Sequence, residues 1–195
     1  MSTEFEIKSP YPEAVLSAAE KVRLLALDVD GVMTNGQLIY TSGGEEMKVF
    51  NVKDGQGINL LVKAGLQVAM ITARTSPINQ RRAEELGIQH VYQNEKNKAG
   101  ALSQLAERLG LSLDEVAYMG DDWPDVAPLQ LAGLPCCPKN AIAEVKLVCR
   151  FMTRAKGGKG AVRELADLIL KSQGKLPVVE VEKEPIPASV SVPAI

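Results

Sequence analysis

Apolar and polar positions alternate along this chain with two different periods. Short apolar runs stand at RLLALDV (23–29), QVAMIT (67–72), HVY (90–92), EVAYMG (115–120) and LPCC (134–137). Each has strand length and is bounded by glycine, proline or charged residues, so five β-strands are predicted. Between them lie GQGINLLVKAG (55–65), PINQRRAEELG (77–87) and KAGALSQLAERLG (98–110), whose apolar residues recur every three or four positions. These predict amphipathic helices, and the last two stop at a glycine. GAVRELADLILKSQG (160–174) is patterned more strongly still, and a shorter helix fits between Pro12 and Lys21. Strands separated by helices of this length need right-handed crossovers, which build a parallel sheet. The predicted fold class is α/β, a doubly wound parallel sheet of Rossmann-like type, in one domain over residues 15–175.

One segment breaks the alternation. GQLIYTSGGEEMKVFNV (36–52) holds two β-rich runs around a glycine turn and reads as a hairpin. Leu38, Ile39 and Tyr40 on one arm, with Met47, Val49 and Phe50 on the other, place apolar groups on both faces. A projecting hairpin of this kind has to be covered. Neighbouring subunits are the expected cover, and folding onto its own domain is the alternative. Residues 1–14 carry little pattern before the first helix. The stretch 176–195 holds four prolines and no helical period, so both ends are expected to be loose.

The composition narrows the function. The 195 residues are 46% hydrophobic and 24% charged with a formal net charge of -2, so no basic excess points to nucleic acid or an anionic membrane. The amino terminus, MSTEFEIKSPYPEAV, lacks the order of a secretory signal, and no apolar run approaches the ~20 residues that span a bilayer. A cytoplasmic protein is expected, with no nucleic-acid or membrane partner. Cys136, Cys137 and Cys149 form neither a metal-ligand spacing nor an even disulfide framework, and buried inert thiols are expected. The one histidine, His90, opens a strand and has no partners for a Ser-His-Asp site. Carboxylates remain as the active groups.

Ligands of an open parallel sheet bind beyond the carboxyl ends of its strands. Asp28 and Asp30 follow the first predicted strand, with Gly31 allowing a tight turn. Thr72 and Arg74 follow the second, Lys98 opens the helix after the third, and Asp121, Asp122 and Asp125 follow the fourth. Each has a plain structural alternative: a threonine or aspartate capping a helix, Pro124 in a first helical turn, a solvated lysine. Four successive strand ends carrying compatible groups argue for one site. Strand alternation points Asp28 and Asp30 to one spot, where two like charges about 4 Å apart repel by roughly 4 kcal/mol at an effective dielectric near 20. Mg²⁺ offsets that repulsion, with Asp28, Asp30 and Asp121 as hard oxygen ligands and a phosphoryl group as its further partner. Thr72 and Lys98 then donate to the remaining phosphoryl oxygens.

DVDGV, ITAR, Lys98 and GDDWPD resemble, in order, the four motifs of haloacid dehalogenase superfamily phosphatases. That resemblance implies Asp28 as nucleophile and Asp30 as general acid, then base. It also implies Asp121 as a metal ligand, the Asp30 carbonyl in the metal shell, and Asp122 and Asp125 in support. Only 42 residues separate Asp30 from Thr72 and 26 separate Thr72 from Lys98, which leaves no room for a large cap domain. DVDGVMTNGQLIY, EEMKVFNVKDGQGI and GGKGAVRELADLIL narrow the resemblance to the capless 3-deoxy-D-manno-octulosonate 8-phosphate phosphatase family, over roughly residues 15–176. The family implies a homotetramer whose hairpins meet, a role in lipopolysaccharide precursor synthesis, and active sites completed by neighbouring subunits. Asn51, Val52, Lys53, Asp54, Gly55, Arg74 and Arg82 match its substrate-binding positions, alongside Asp30 and Lys98. Lys53 and Asn59 depart from arginines in relatives; lysine keeps the charge without the planar fork. The glycine-rich AKGGKGAVRE (155–164) is not a nucleotide P-loop and reads as a flexible turn, or in the family as a segment reaching toward a neighbouring site.

Three rivals stay beside this reading. A signal-receiving regulator domain uses similar groups, but its phosphorylated aspartate falls at a later strand and no acids return after the lysine. A non-catalytic module would have little reason to keep both Asp28 and Asp30. The same chemistry on a nine-carbon sialic-acid-type phosphate is the third.

Overall fold

The computed structural model describes residues 11–43 and 46–177. Helix α1 (Glu13–Lys21) leads into β1 (Leu24–Leu27), followed by β2 (Ile39–Tyr40), β3 (Glu46–Met47) and α2 (Val52–Lys63). Then come β4 (Gln67–Ile71), α3 (Pro77–Leu86), β5 (His90–Tyr92), α4 (Lys98–Arg108) and β6 (Val116–Met119). The chain continues through α5 (Val126–Leu131), β7 (Leu134–Cys137), α6 (Ala143–Val148), β8 (Phe151–Met152) and α7 (Ala161–Ser172). Six strands form one sheet in the order β5-β4-β1-β6-β7-β8, and its five pairings are all parallel. The predicted doubly wound α/β fold is present, and the described residues contain no large cap domain.

Both faces of the sheet are buried, which is why its strands read as continuous apolar runs. Leu25, Leu27, Val68, Met70 and Met119 face α1, α2 and α7, whereas Leu24, Ala26, Ile71, Val116 and Tyr118 face α4 and α5. Strand order reverses between β1 and β6, and the crevice at that switch point lies beyond their carboxyl ends.

Three elements depart from the sequence expectation. Helices α5 and α6 have six residues each and β8 has two, too short for a period to show, and Pro128 sits inside α5. The hairpin is present, but its strands are two residues each, Ile39 opposite Met47 and Tyr40 opposite Glu46, and part of its turn, residues 44 and 45, lies outside the described residues. The expectations for 1–10 and 178–195 also fall outside them.

The glycine-rich stretch is a built contact rather than a flexible turn. Gly158 N–H donates to the Val32 carbonyl at 2.9 Å and Gly157 N–H to Asn140 Oδ1 at 2.8 Å. A Cβ on Gly157 would stand 1.7 Å from the Gly31 carbonyl oxygen, so only glycine lets this loop lie against the loop after β1. Asp54 closes the same contact: its buried carboxylate accepts the N–H groups of Gly160, at 3.1 Å, and Arg163, at 2.9 Å. It satisfies two orphan donors at the start of α7, which α2 packs against. Asp54→Ala is expected to lower stability by about 1–3 kcal/mol in urea unfolding, and an unchanged midpoint would show that water replaces the carboxylate.

Candidate active site

Lys98, the first residue of α4, is buried, and its ammonium lies 2.8 Å from Asp28 Oδ1 and 2.7 Å from Asp125 Oδ1. Asn97 accepts the Gly100 N–H and so starts the helix where Lys98 can reach across. Asp125 is fully engaged. Its Oδ1 also accepts the Tyr118 hydroxyl at 2.8 Å, and its Oδ2 accepts the N–H groups of Asp121 and Asp122 at 3.0 and 3.3 Å. Asp122 caps the short turn Trp123–Asp125 through the Trp123 N–H. Both therefore support the site, Asp125 by holding Lys98 and Asp122 by shaping the loop.

Asp28, Asp121 and Asp125 bring carboxylate oxygens within 4.8 Å of one another. Asp121 Oδ1 is buried with no hydrogen-bond partner, whereas the oxygens of Asp125 are taken by donors. An orphaned anionic oxygen beside a second carboxylate suits a divalent cation. Asp28 and Asp121 are therefore the side chains that would hold it, and Asp125 is not. Burial, followed by the charge of Asp125, pushes Asp28 up to about 7 against the pull of Lys98. Burial, followed by the charges of Asp28, Asp125 and Asp122, pushes Asp121 up to about 7 as well. Gly31, at φ +101°, lets the backbone pass where a Cβ would lie 2.1 Å from Asp121 Oδ2.

Asp30 departs from the expected geometry. β1 ends at Leu27, so Asp28 lies just past the strand and Asp30 in the turn after it, and the two side chains do not share one spot. The Asp30 carboxylate accepts Lys48 Nζ at 2.7 and 2.9 Å and faces Arg74 Nε at 3.7 Å. Each aspartate thus has its own ammonium, and the Asp30 carboxylate stands outside the acidic cluster of Asp28, Asp121 and Asp125. Thr72, buried just beyond β4, accepts the Arg74 N–H on Oγ1 and keeps its hydroxyl hydrogen for another acceptor.

A family model of haloacid dehalogenase-like hydrolases matches residues 69–165. Over 167 residues the chain is 42% identical to the 3-deoxy-D-manno-octulosonate 8-phosphate phosphatase of Escherichia coli K12, covering 86% of this chain and 89% of that protein. It belongs to this phosphatase family. The family's solved structures agree. The Moraxella catarrhalis enzyme, in complex with a magnesium ion, a phosphate ion and a KDO molecule, superposes with a TM-score of 0.81 at 42% identity, over 82% of this chain and 92% of that one. The cobalt-bound Haemophilus influenzae enzyme gives 0.78 at 38% identity, over 80% and 92%. The chain is accordingly an Mg²⁺-dependent phosphatase, and the acidic pair Asp28 and Asp121 fits that metal.

The family's substrate positions divide in this chain. Arg74 reaches the site. Asn51 caps α2, accepting the Lys53 N–H and donating to the Gly158 carbonyl. Val52 is 81% exposed and Lys53 is exposed beside it. Gly55 leaves room for Arg82, whose Nη2 would lie 2.4 Å from a Cβ there, and Arg82 stacks over Phe50 and pairs with Glu85. The Asp54 carboxylate accepts the N–H groups of Gly160 and Arg163 at the start of α7. Lys48, Glu46 and Tyr118 are site residues that pattern reasoning missed, because Lys48 and Glu46 read as polar hairpin positions and Tyr118 as strand core.

Metal binding should track the two raised carboxylates. Both groups bind protons in the metal-free folded protein that the unfolded chain, with an ordinary value of 3.8, has released. Stability without metal therefore falls as pH rises from about 4 to about 7, and bound Mg²⁺ would offset the loss by neutralising the carboxylates that those protons leave. Calorimetric titration should show Mg²⁺ affinity rising between pH 6 and pH 8 with proton release; a flat affinity would contradict the assignment.

Proposed function

We propose that this chain hydrolyses 3-deoxy-D-manno-octulosonate 8-phosphate to the free sugar acid and inorganic phosphate, in the cytoplasmic supply of lipopolysaccharide precursors. The observation that carries the reading is the convergence of Asp28, Thr72, Lys98 and Asp121 beyond the carboxyl ends of β1, β4, β5 and β6. An Asp28 oxygen attacks phosphorus as the ester bond to the sugar oxygen breaks, giving an aspartyl phosphate. Asp30 gives its proton to the departing oxygen. It then takes a proton from the water that attacks the aspartyl phosphate, which restores Asp28 and releases phosphate.

Lys98 spends two of its three donors on Asp28 and Asp125, and the third suits a phosphoryl oxygen, as does the Thr72 hydroxyl. Mg²⁺ held by Asp28, Asp121 and the Asp30 carbonyl supplies positive charge to the phosphoryl oxygens. Arg74, 41% exposed beside Asp30, suits the sugar carboxylate, which an arginine can take in bidentate fashion. Val52 and Lys53 face outward, as residues serving a neighbouring subunit's site would. A homotetramer assembled through the hairpin accounts for the exposed Leu38, Ile39, Tyr40, Met47 and Val49.

Phosphate release should be measured from the 8-phosphate, a sialic acid 9-phosphate and an aryl phosphate, each with Mg²⁺ and with chelator. Metal-dependent preference for the first is expected, and preference for the second would move the substrate while keeping the chemistry. Asp28→Asn should lower release on the order of a thousandfold or more, and retained activity would remove Asp28 as nucleophile. Replacing Ile39 and Met47 together by aspartate should reduce the assembly to smaller species by light scattering; an intact tetramer would place the interface elsewhere.

A further inference from the structure

Lys48 lies in the hairpin arm between Met47 and Val49, which are 49% and 60% exposed, yet its own side chain is 1% exposed. Its ammonium contacts both oxygens of Asp30, at 2.7 and 2.9 Å, and stands 3.9 Å from Glu46 Oε1. Arg74 closes the circuit, 3.5 Å from Glu46 Oε1, 3.7 Å from Asp30 Oδ2 and donating to the Tyr40 hydroxyl at 2.8 Å. Tyr40, Glu46 and Lys48 all belong to the hairpin. Among the described residues, Lys48 and Arg74 are the groups that hold the Asp30 carboxylate.

These two groups differ in what a substrate can do to them. Arg74 is half-exposed and open to a sugar carboxylate from the solvent side, whereas the Lys48 side chain is out of reach of solvent. Burying an ammonium is costly unless its partners are close and well aligned. Placing that cost against a residue in a turn, rather than in the core, makes structural sense where the residue's aim matters. A general acid must sit within about 2.6–3.2 Å of its proton's destination, and a misplacement of about 1 Å can cost a hundredfold in rate.

We propose that Lys48 is a positioning residue: it clamps both Asp30 oxygens so that this carboxylate keeps one aim through proton delivery and proton abstraction, and thereby ties the seating of the hairpin to the chemistry. One clamped oxygen carries the proton that goes to the departing sugar oxygen, and once it has been given up that oxygen presents a lone pair to the attacking water. The inference rests on the role of Asp30 given above.

The test uses the Mg²⁺-loaded full chain and two aryl phosphates, phenyl and p-nitrophenyl, beside the 8-phosphate. The nitrophenyl group leaves without a delivered proton and the phenyl group does not. Lys48→Met keeps the length of the side chain and removes its charge. Its kcat/KM, which reports aspartyl phosphate formation, should fall about 10–100-fold for phenyl phosphate and the 8-phosphate, and less than threefold for p-nitrophenyl phosphate. Lys48→Ala should show the same pattern and regain rate with added propylammonium. An equal fall for both aryl phosphates, with no rescue, would reduce Lys48 to a structural anchor, and unchanged rates would remove it altogether. Wild-type release from the aryl phosphates but not from the 8-phosphate would overturn the substrate assignment and leave the leaving-group comparison able to decide the role of Lys48.

Discussion

One ammonium organises the site. Lys98 Nζ stands 2.8 Å from Asp28 and 2.7 Å from Asp125, linking the loop after β1, the start of α4 and the loop after β6. These elements come from distant parts of the sequence, 70 and 27 residues from Lys98. Hydrophobic packing brings the strand ends together only roughly; a buried ion pair has short range and strict geometry, and its breakage leaves an unpaired charge in a dry place. Asp125 shows how the constraint spreads. By accepting Tyr118, Lys98 and two backbone amides, it fixes the loop that carries Asp121.

Lys98 does not balance the charge around it. Three carboxylates meet one ammonium, and the remainder falls on Asp121, whose Oδ1 has no donor. Burial first, and then this surplus of negative charge, pushes Asp28 and Asp121 up to about 7 in the metal-free protein, so protons take up the excess. A divalent cation replaces those protons and returns both groups to the ionised state that nucleophilic attack and metal binding require. The site is thus built with a deficit that the metal fills, and a fully neutral pocket would have bound it less well.

Much of this was legible in the sequence, and the failures share a cause. The central strands and long helices show because both faces of the sheet are buried and the helices carry a full stripe. Asp28, Thr72, Lys98 and Asp121 show because strand ends are where the fold presents ligands. What did not show is how side chains are spent once the chain is folded. Asp54 sits in a family substrate motif, but its oxygens cap α7, a contact across 106 residues that no local pattern records. Asp28 and Asp30 look like a pair by strand alternation, yet β1 stops at Leu27 and the turn parts them. Tyr118 has the signature of core, and only its hydroxyl on Asp125 reveals a second task.

The hairpin draws these points together. An element with five exposed apolar side chains could have been held to the domain by apolar packing, yet charged and polar side chains tie it to the Asp30 turn. Apolar packing tolerates sliding, whereas Lys48 on two oxygens and Arg74 between Tyr40 and Glu46 specify one seating. The apolar faces then remain free for whatever covers them, and a shift of the hairpin on binding must pull on the groups that hold Asp30. Separating the two kinds of contact in this way lets one short segment report on assembly with its outer faces and act on the acid/base with its foot.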